Sequence, residues 1–200
     1  METVLVCNDF HIPYHDEAAV ACMEEVMAAI KPDVVVYLGD LFDFASLSTK
    51  FSRSPEQRYR LQADITICSE ILWRHREIAP NAYKLYIEGN HEARLRNYVV
   101  EQADELASFI DDGALSLSRL LHLDQIGVAY VGPYGAVWEH NSFVFKHGDR
   151  AVQYTSAAEL ASEGTSGMSG HTHRGGSYYK TNRSGAHAWY ENFCLCHVAG

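Results

Sequence analysis

Residues 34–43 read Val-Val-Val-Tyr-Leu-Gly-Asp-Leu-Phe-Asp: an unbroken apolar run, one glycine, then a loop with two carboxylates. So short a run of β-branched and aromatic residues predicts a buried strand, and the glycine marks where the strand becomes a loop. The pattern recurs along the chain. Val4 to Cys7 leads into Asp9-Phe10-His11, Tyr83 to Ile87 into Gly89-Asn90-His91-Glu92, and Phe143 to Phe145 into His147-Gly148-Asp149. A last cluster, Gly170-His171-Thr172-His173, completes the series. Strand ends that each open a polar loop predict convergence on one edge of a sheet, where open α/β folds place their sites.

The residue types in these loops predict metal binding. Imidazoles, carboxylates and an amide oxygen, with no thiolate among them, suit divalent ions such as Mn²⁺, Fe²⁺ or Zn²⁺. Asp9, His11, Asp40, Asn90, His147, His171 and His173 are too many ligands for one ion. Two ions sharing a carboxylate would use them all, and Asp40, between Gly39 and a second acid, is the best bridge.

With these five clusters in this order, the chain resembles the calcineurin-like metallophosphoesterase superfamily from Asp9 to His173. The resemblance implies a four-layer α-β-β-α sandwich of class α/β (α+β), in which two mixed sheets pack face to face with helices outside. It also implies a ligand partition: Asp9, His11, Asp40 and His173 on one ion, and Asp40, Asn90, His147 and His171 on the other. His91 matches the acid-base histidine and Asp43 the acid that orients it. The implied activity is hydrolysis of a phosphoester by a metal-bridging hydroxide, with two divalent ions as cofactors, Mn²⁺ first and Fe²⁺, Zn²⁺ or Ni²⁺ as alternatives. The protein-phosphatase branch carries Arg-Gly after the second cluster, where this chain has Phe44-Ala45. That departure counts against a protein phosphatase, and the full ligand set with a double-histidine final cluster looks more like the phosphodiesterase and nuclease members, so a phosphodiesterase acting on a nucleotide or nucleic-acid end is favoured over a phosphomonoesterase or protein phosphatase. A catalytically inactive interaction scaffold is a remote alternative, because such relatives usually lack a residue equivalent to His91 or Asp40.

Among other polar residues, Arg94 and Arg174 are candidate substrate contacts, since a guanidinium near the metals can hold a phosphate oxygen bidentately. Glu92 reads as a carboxylate favoured by a helix start. Lys50, Arg53, Arg58 and Arg60 form a candidate rim for an anionic substrate. His15, His75, His122, His140, His187 and His197 read as ordinary surface or core histidines. Cys194 and Cys196 read as thiols on one face of a strand.

Composition bounds these readings. The 200 residues fit one domain over 1–200, with 47% apolar and 21% charged residues. No apolar run approaches the roughly 20 residues that span a bilayer, and the start does not read as a signal segment. Five cysteines without a regular framework point to reduced thiols and a cytoplasmic setting. A net charge of −10 argues against a broad basic face for duplex DNA, but two bound dications would leave the pocket itself locally positive. Helices are expected over Asp16 to Ile30, from Ser54 to about Ile78, throughout Glu92 to Leu123, and around Ser156 to Ser162. Further strands are expected at Val128 to Val131, Ala136 to Trp138, Gly176 to Tyr179 and Ala186 to Cys196. The chain stops just after a strand-like run where relatives usually continue, so either the fold closes early or the chain is truncated. Oligomeric state is not legible.

Overall fold

The structure, a computed structural model, describes residues 1–48, 60–110 and 113–198. Strands β1 (Val4–Cys7), β2 (Val34–Leu38), β3 (Tyr83–Ile87) and β4 (Val128–Gly132) form one sheet in that order. Every pairing in it is parallel, with Val4 opposite Val34 and Val34 opposite Tyr83. The sheet is therefore not mixed, as expected, but parallel throughout. The reason lies in its connections: helices α1 (Glu17–Ile30), α2 (Leu61–Ile78) and α3 (Ala93–Gln102) return the chain to the same end each time.

The second sheet is mixed. It contains β5 (Val137–His140), β6 (Phe143–Lys146), β7 (Ser166–Ser169), β8 (Gly176–Asn182) and β9 (Gly185–Glu191), in the order β5-β6-β7-β9-β8. Strands β6, β7 and β9 run parallel, and antiparallel partners flank them on both sides.

Strand β2 shows why the layers stack as they do. All five of its residues are buried, as a strand covered on both faces requires. Val35 and Tyr37 join the cluster of Met27, Cys68 and Leu72 from the helices. Val34, Val36 and Leu38 join Leu85, Ile87 and Phe145, the last from the second sheet. Outside that sheet, α6 (Thr155–Glu163; the short helices α4, Leu117–Leu120, and α5, Leu123–Ile126, precede it) covers Trp189, which packs with Val144 and Leu160. The four layers are thus α, β, β, α.

Helix α1 is capped by the Asp16 carboxylate, which accepts from the Ala18 and Ala19 amides at 2.9 and 3.1 Å, and ends at Lys31 before Pro32. Other elements depart from expectation. Residues 92–123 are not helical throughout: α3 gives way to a 3₁₀ turn over Asp104–Phe109 and then to α4 and α5. Strand β9 ends at Glu191, so Cys194 and Cys196 lie in the loop beyond it, and Cys196 bridges back to His15. The expected helix start at Ser54, with Lys50, Arg53 and Arg58, lies outside the described residues.

Strand β7 has the sequence Ser-Gly-Met-Ser, with no apolar run to announce it. Its Gly167 lies under the indole of the fully buried Trp189: a Cβ there would come within 2.7 Å of Trp189 Cη2 and of the Val144 carbonyl oxygen. Gly167→Ala should overpack this layer and cost about 1–3 kcal/mol in urea unfolding. An unchanged midpoint would show that the indole yields freely and is not a fixed part of the layer.

Candidate metal centre

The five loops meet where the two sheets come together. Three follow β1, β2 and β3 in the first sheet and two follow β6 and β7 in the second, so the convergence uses two sheets rather than the single edge expected. The backbone there is held in an uncommon conformation. Asp9, His11, Asp40, His171 and His173 have φ of 53°, 50°, 51°, 69° and 58°, the left-handed region. For residues other than glycine this costs of order 1–3 kcal/mol each and persists only where surroundings enforce it. Loop-to-loop hydrogen bonds do so: Asp9 N–H donates to Gly39 O, His11 N–H to Asp40 O and Ile12 N–H to Leu41 O, at 2.9–3.0 Å.

All seven expected ligands are brought together. His11 Nε2 lies 3.6 Å from Asp9 Oδ1, 3.5 Å from Asp40 Oδ2 and 2.9 Å from His173 Nε2, and His173 Nε2 lies 3.4 Å from Asp9 Oδ1. On the other side, His147 Nε2 lies 3.4 Å from Asp40 Oδ2 and 3.0 Å from Asn90 Oδ1, which is 2.7 Å from His171 Nδ1. Asp40 Oδ2 belongs to both groups. Donors about 2.1 Å from a common ion stand roughly 3.0–3.4 Å apart, close to most of these spacings.

The partners of these side chains aim their free atoms inward. Asp9 Oδ2 accepts from the Asn8 amide and from His171 N–H, while Asp9 Oδ1 is buried without a hydrogen-bond partner among the described residues. Asp40 Oδ1 accepts from His91 N–H at 2.9 Å, leaving Oδ2 to the histidines. His147 Nδ1 donates to Leu38 O at 2.9 Å, and His11 Nδ1 faces Asp43 Oδ2 at 3.3 Å, so both present Nε2. An orphaned buried carboxylate oxygen beside converging imidazole nitrogens is the chemistry of a cation site, and the residues fit two divalent ions.

The electrostatics agree. Burial alone would raise the Asp9 and Asp40 carboxyls, yet the surrounding histidines hold both below the usual carboxylate range. Burial opposes charge on His11 and His147, yet Asp43, Asp9 and Asp40 raise His11 to about 10, and Asp40 and Asp9 raise His147 to about 9. The site favours positive charge, whether carried by protons or by metal.

Around this core, His91 Nδ1 lies 3.0 Å from Asp43 O and 3.4 Å from Asp43 Oδ2, and its Nε2 lies 3.0 Å from an Arg94 nitrogen. Arg94 also donates to Asp43 O at 2.6 Å. Arg174 sits apart from the converging donors: its guanidinium donates to Val152 O, Thr155 Oγ1 and Glu191. Arg60, the one residue of the expected rim that is described, lies 3.7 Å from Asp64.

Glu92 is placed differently from its expected role. It does not cap α3; its Oε2 accepts from the Asp40 and Gly89 amides at 2.9 and 2.7 Å, and its Oε1 from Phe42 N–H at 3.1 Å. One buried carboxylate thereby ties the second loop to the third. Burial and the Asp40 carboxylate raise its pKa against the pull of these amide donors. Gly89 makes the approach possible, since a Cβ there would collide with the backbone nitrogen and side chain of Asp40.

The cleft over the donors has a volume of about 410 Å³ and is also lined by Tyr14, which sequence reasoning passed over, and by Cys196 and His197, which it read as a strand thiol and an ordinary histidine. Cys196 Sγ lies within 4.8 Å of His11 and His173 nitrogens, so the thiol competes with Asp9 as a geometric partner. Its contact is with His173 Nδ1, at 3.7 Å, on the ring side away from the converging Nε2 atoms. Burial and Cys194 raise the thiol to about 12. The one available signal was the Cys-Leu-Cys-His run, and its spacing does not say which loop it returns to.

Two outcomes follow from this geometry. Glu92→Gln puts an amide donor against backbone donors and should cost a few kcal/mol in urea unfolding, with a loss of metal affinity as the two loops part. Normal affinity in a destabilised variant would restrict Glu92 to the fold. Because His11 and His147 hold protons up to about 10 and 9, metal must displace protons at neutral pH. Calorimetric titration with Mn²⁺ should show affinity falling as pH is lowered from 8.5 to 6.5, with proton release on binding; a flat profile would contradict this electrostatic picture.

Comparison with known proteins agrees with the geometry. The chain is similar to the Gene 54 protein of Mycobacterium phage D29, 30% identical over 194 residues that cover 92% of this chain and 74% of the relative. It is similar also to the Gene 54 protein of Mycobacterium phage L5, 27% identical over 183 residues, or 86% and 69% of the two chains. The family model for calcineurin-like phosphoesterases matches residues 2–192, nearly the whole length, and the chain belongs to that family.

Proposed function

We propose that this protein is a two-metal phosphodiesterase acting on a nucleotide or nucleic-acid end. The observation that carries the two-metal reading is the single Asp40 oxygen placed 3.5 Å from His11 Nε2 and 3.4 Å from His147 Nε2. In this reading Asp9, His11, Asp40 and His173 hold one ion and Asp40, Asn90, His147 and His171 the other, with Mn²⁺ favoured by the oxygen and nitrogen donors. When bound, such a pair supplies Lewis-acid charge to phosphoryl oxygens and acidifies a water towards neutral pH.

The chain's own residues supply the rest. His91 is anchored through Nδ1 to the Asp43 carbonyl, so its Nε2 faces the cleft beside Arg94. A phosphoryl oxygen draws the Arg94 guanidinium towards itself and frees Nε2, which in the protonated imidazole gives its proton to the leaving oxygen. Asp43 then balances the charge and holds the ring. Arg174, engaged with Glu191, is assigned to the outer edge of substrate binding. The diester preference draws on Phe44, which occupies the phosphatase arginine's place and is buried, stacked on Phe42 with ring centroids 4.4 Å apart. A cytoplasmic setting suits the five free cysteines, and among the described residues no helix is long and apolar enough to cross a membrane.

Metal-loaded protein should hydrolyse bis-p-nitrophenyl phosphate faster than p-nitrophenyl phosphate; the opposite order would indicate a monoesterase, and inactivity on both a scaffold. Asp40→Asn should lose metal content and turnover together, whereas two retained ions with normal turnover would remove Asp40 as the bridge. His91→Asn should keep its metals and lose about 10² to 10⁴ in rate on esters with alkoxide leaving groups, with a much smaller loss for p-nitrophenolate. Equal losses on both would make His91 a phosphoryl-positioning group and not a proton donor.

A further inference from the structure

Helix α3 begins two residues after His91 and buries Leu95 and Val99. Its opposite side carries Arg94, Asn97, Tyr98 and Glu101, the i, i+3, i+4, i+7 spacing of one helical stripe. A polar stripe on a helix is ordinarily a solvated face, but this one floors a cavity of about 360 Å³. Tyr134, from the connection between β4 and β5, forms another wall, and Asn90, an expected metal ligand, lines the same cavity. The volume falls among small-molecule sites, which run from roughly 300 to 1,000 Å³. Asn90 also lines the cleft over the metal donors, so the two spaces adjoin.

The chemistry of the lining selects a ligand. Tyr134 is 37% exposed and offers an aromatic face for stacking. Asn97 supplies an amide that donates and accepts in one plane, and Glu101 a carboxylate that only accepts. Among the described residues, no hydrogen bond engages either side chain. Along α3, Asn97 and Glu101 lie roughly 6 and 12 Å beyond Ala93, at 1.5 Å per residue, so their polar atoms are spaced outward from the phosphate end. An asparagine amide matches the edge of adenine, and a carboxylate accepts from an exocyclic amine. Leu47 and Ala93 add apolar surface for the ring, while Arg94, Asn97 and Glu101 place polar groups along the same cavity, which a lipid tail would leave unpaired.

We propose that this cavity is the nucleoside subsite of the substrate, with a base that bears an exocyclic amine, adenine, cytosine or guanine, held between Tyr134 and the α3 stripe. The phosphate lies at the Asn90 end. This assignment rests on the phosphodiesterase reading above and gives that reading its substrate class.

The test uses three esters with one leaving group: the p-nitrophenyl phosphodiesters of adenosine, uridine and methanol. The adenosine ester should exceed the methyl ester in kcat/KM by at least about tenfold, with uridine between them. Asn97→Ala should lower kcat/KM for the adenosine ester about tenfold, through KM, and leave the methyl ester unchanged, while Tyr134→Ala, whose ring also meets His147, should lower the adenosine ester more than the methyl ester. Glu101→Gln should narrow the adenosine to uridine ratio. Equal turnover of all three esters, equal losses on the adenosine and methyl esters, or preference for a phosphoserine peptide would overturn the subsite. A second readout needs no catalysis: calorimetric titration of the metal-free protein with adenosine should show binding that Asn97→Ala weakens about tenfold. If the methyl ester is hydrolysed but adenosine does not bind, the subsite is wrong; if adenosine binds in this Asn97-dependent way while no ester is hydrolysed, the subsite stands and the phosphodiesterase reading fails.

Discussion

The carboxylate of Asp40 is buried to 1% exposure beside His11, His91 and His147, and the rest of the centre is arranged around what its two oxygens do. One oxygen is taken by the His91 amide, which attaches the loop after β3 to the end of β2. The other is left to His11 and His147, which come from opposite sheets. A buried anion in this position is costly unless cations surround it. The fold therefore has a site able to hold cations, assembled by the proximity of the two sheets.

A second buried carboxylate makes that position possible. Glu92 directs both oxygens at backbone amides of two loops, and Asp40, whose amide is one of them, is held there in its left-handed conformation. The two acids sit in similarly dry surroundings and do different work because of what donates to them. Asp9 resembles Asp40 in this respect: each has one oxygen tied to backbone or amide N–H and one directed at imidazoles.

The convergence of the candidate donors was legible in the sequence because four of the five clusters follow a strand with a clear apolar run, and the loop residues are types with few other reasons to recur in that order. The parallel first sheet was half legible, since helices between β1, β2 and β3 require it. Three things were not. Strand β7 carries a glycine where Trp189 needs room, so it has no hydrophobic pattern. The role of Glu92 depends on amides of a loop 50 residues away, and a carboxylate before a helix reads locally as a helix-start charge. The loop from Glu191 to Val198 looks like a strand but leaves the sheet to bring Cys196 and His197 to the cleft, a path set by Asn8 and Asp16, whose backbone and side-chain contacts hold it.

The most direct test of the shared-carboxylate account is anomalous diffraction from crystals of the Mn²⁺-loaded protein. Two peaks roughly 3.5–4 Å apart, with Asp40 Oδ2 between them and His11 and His147 on opposite ions, are the predicted result. A single peak, or two ions of which Asp40 touches only one, would contradict it.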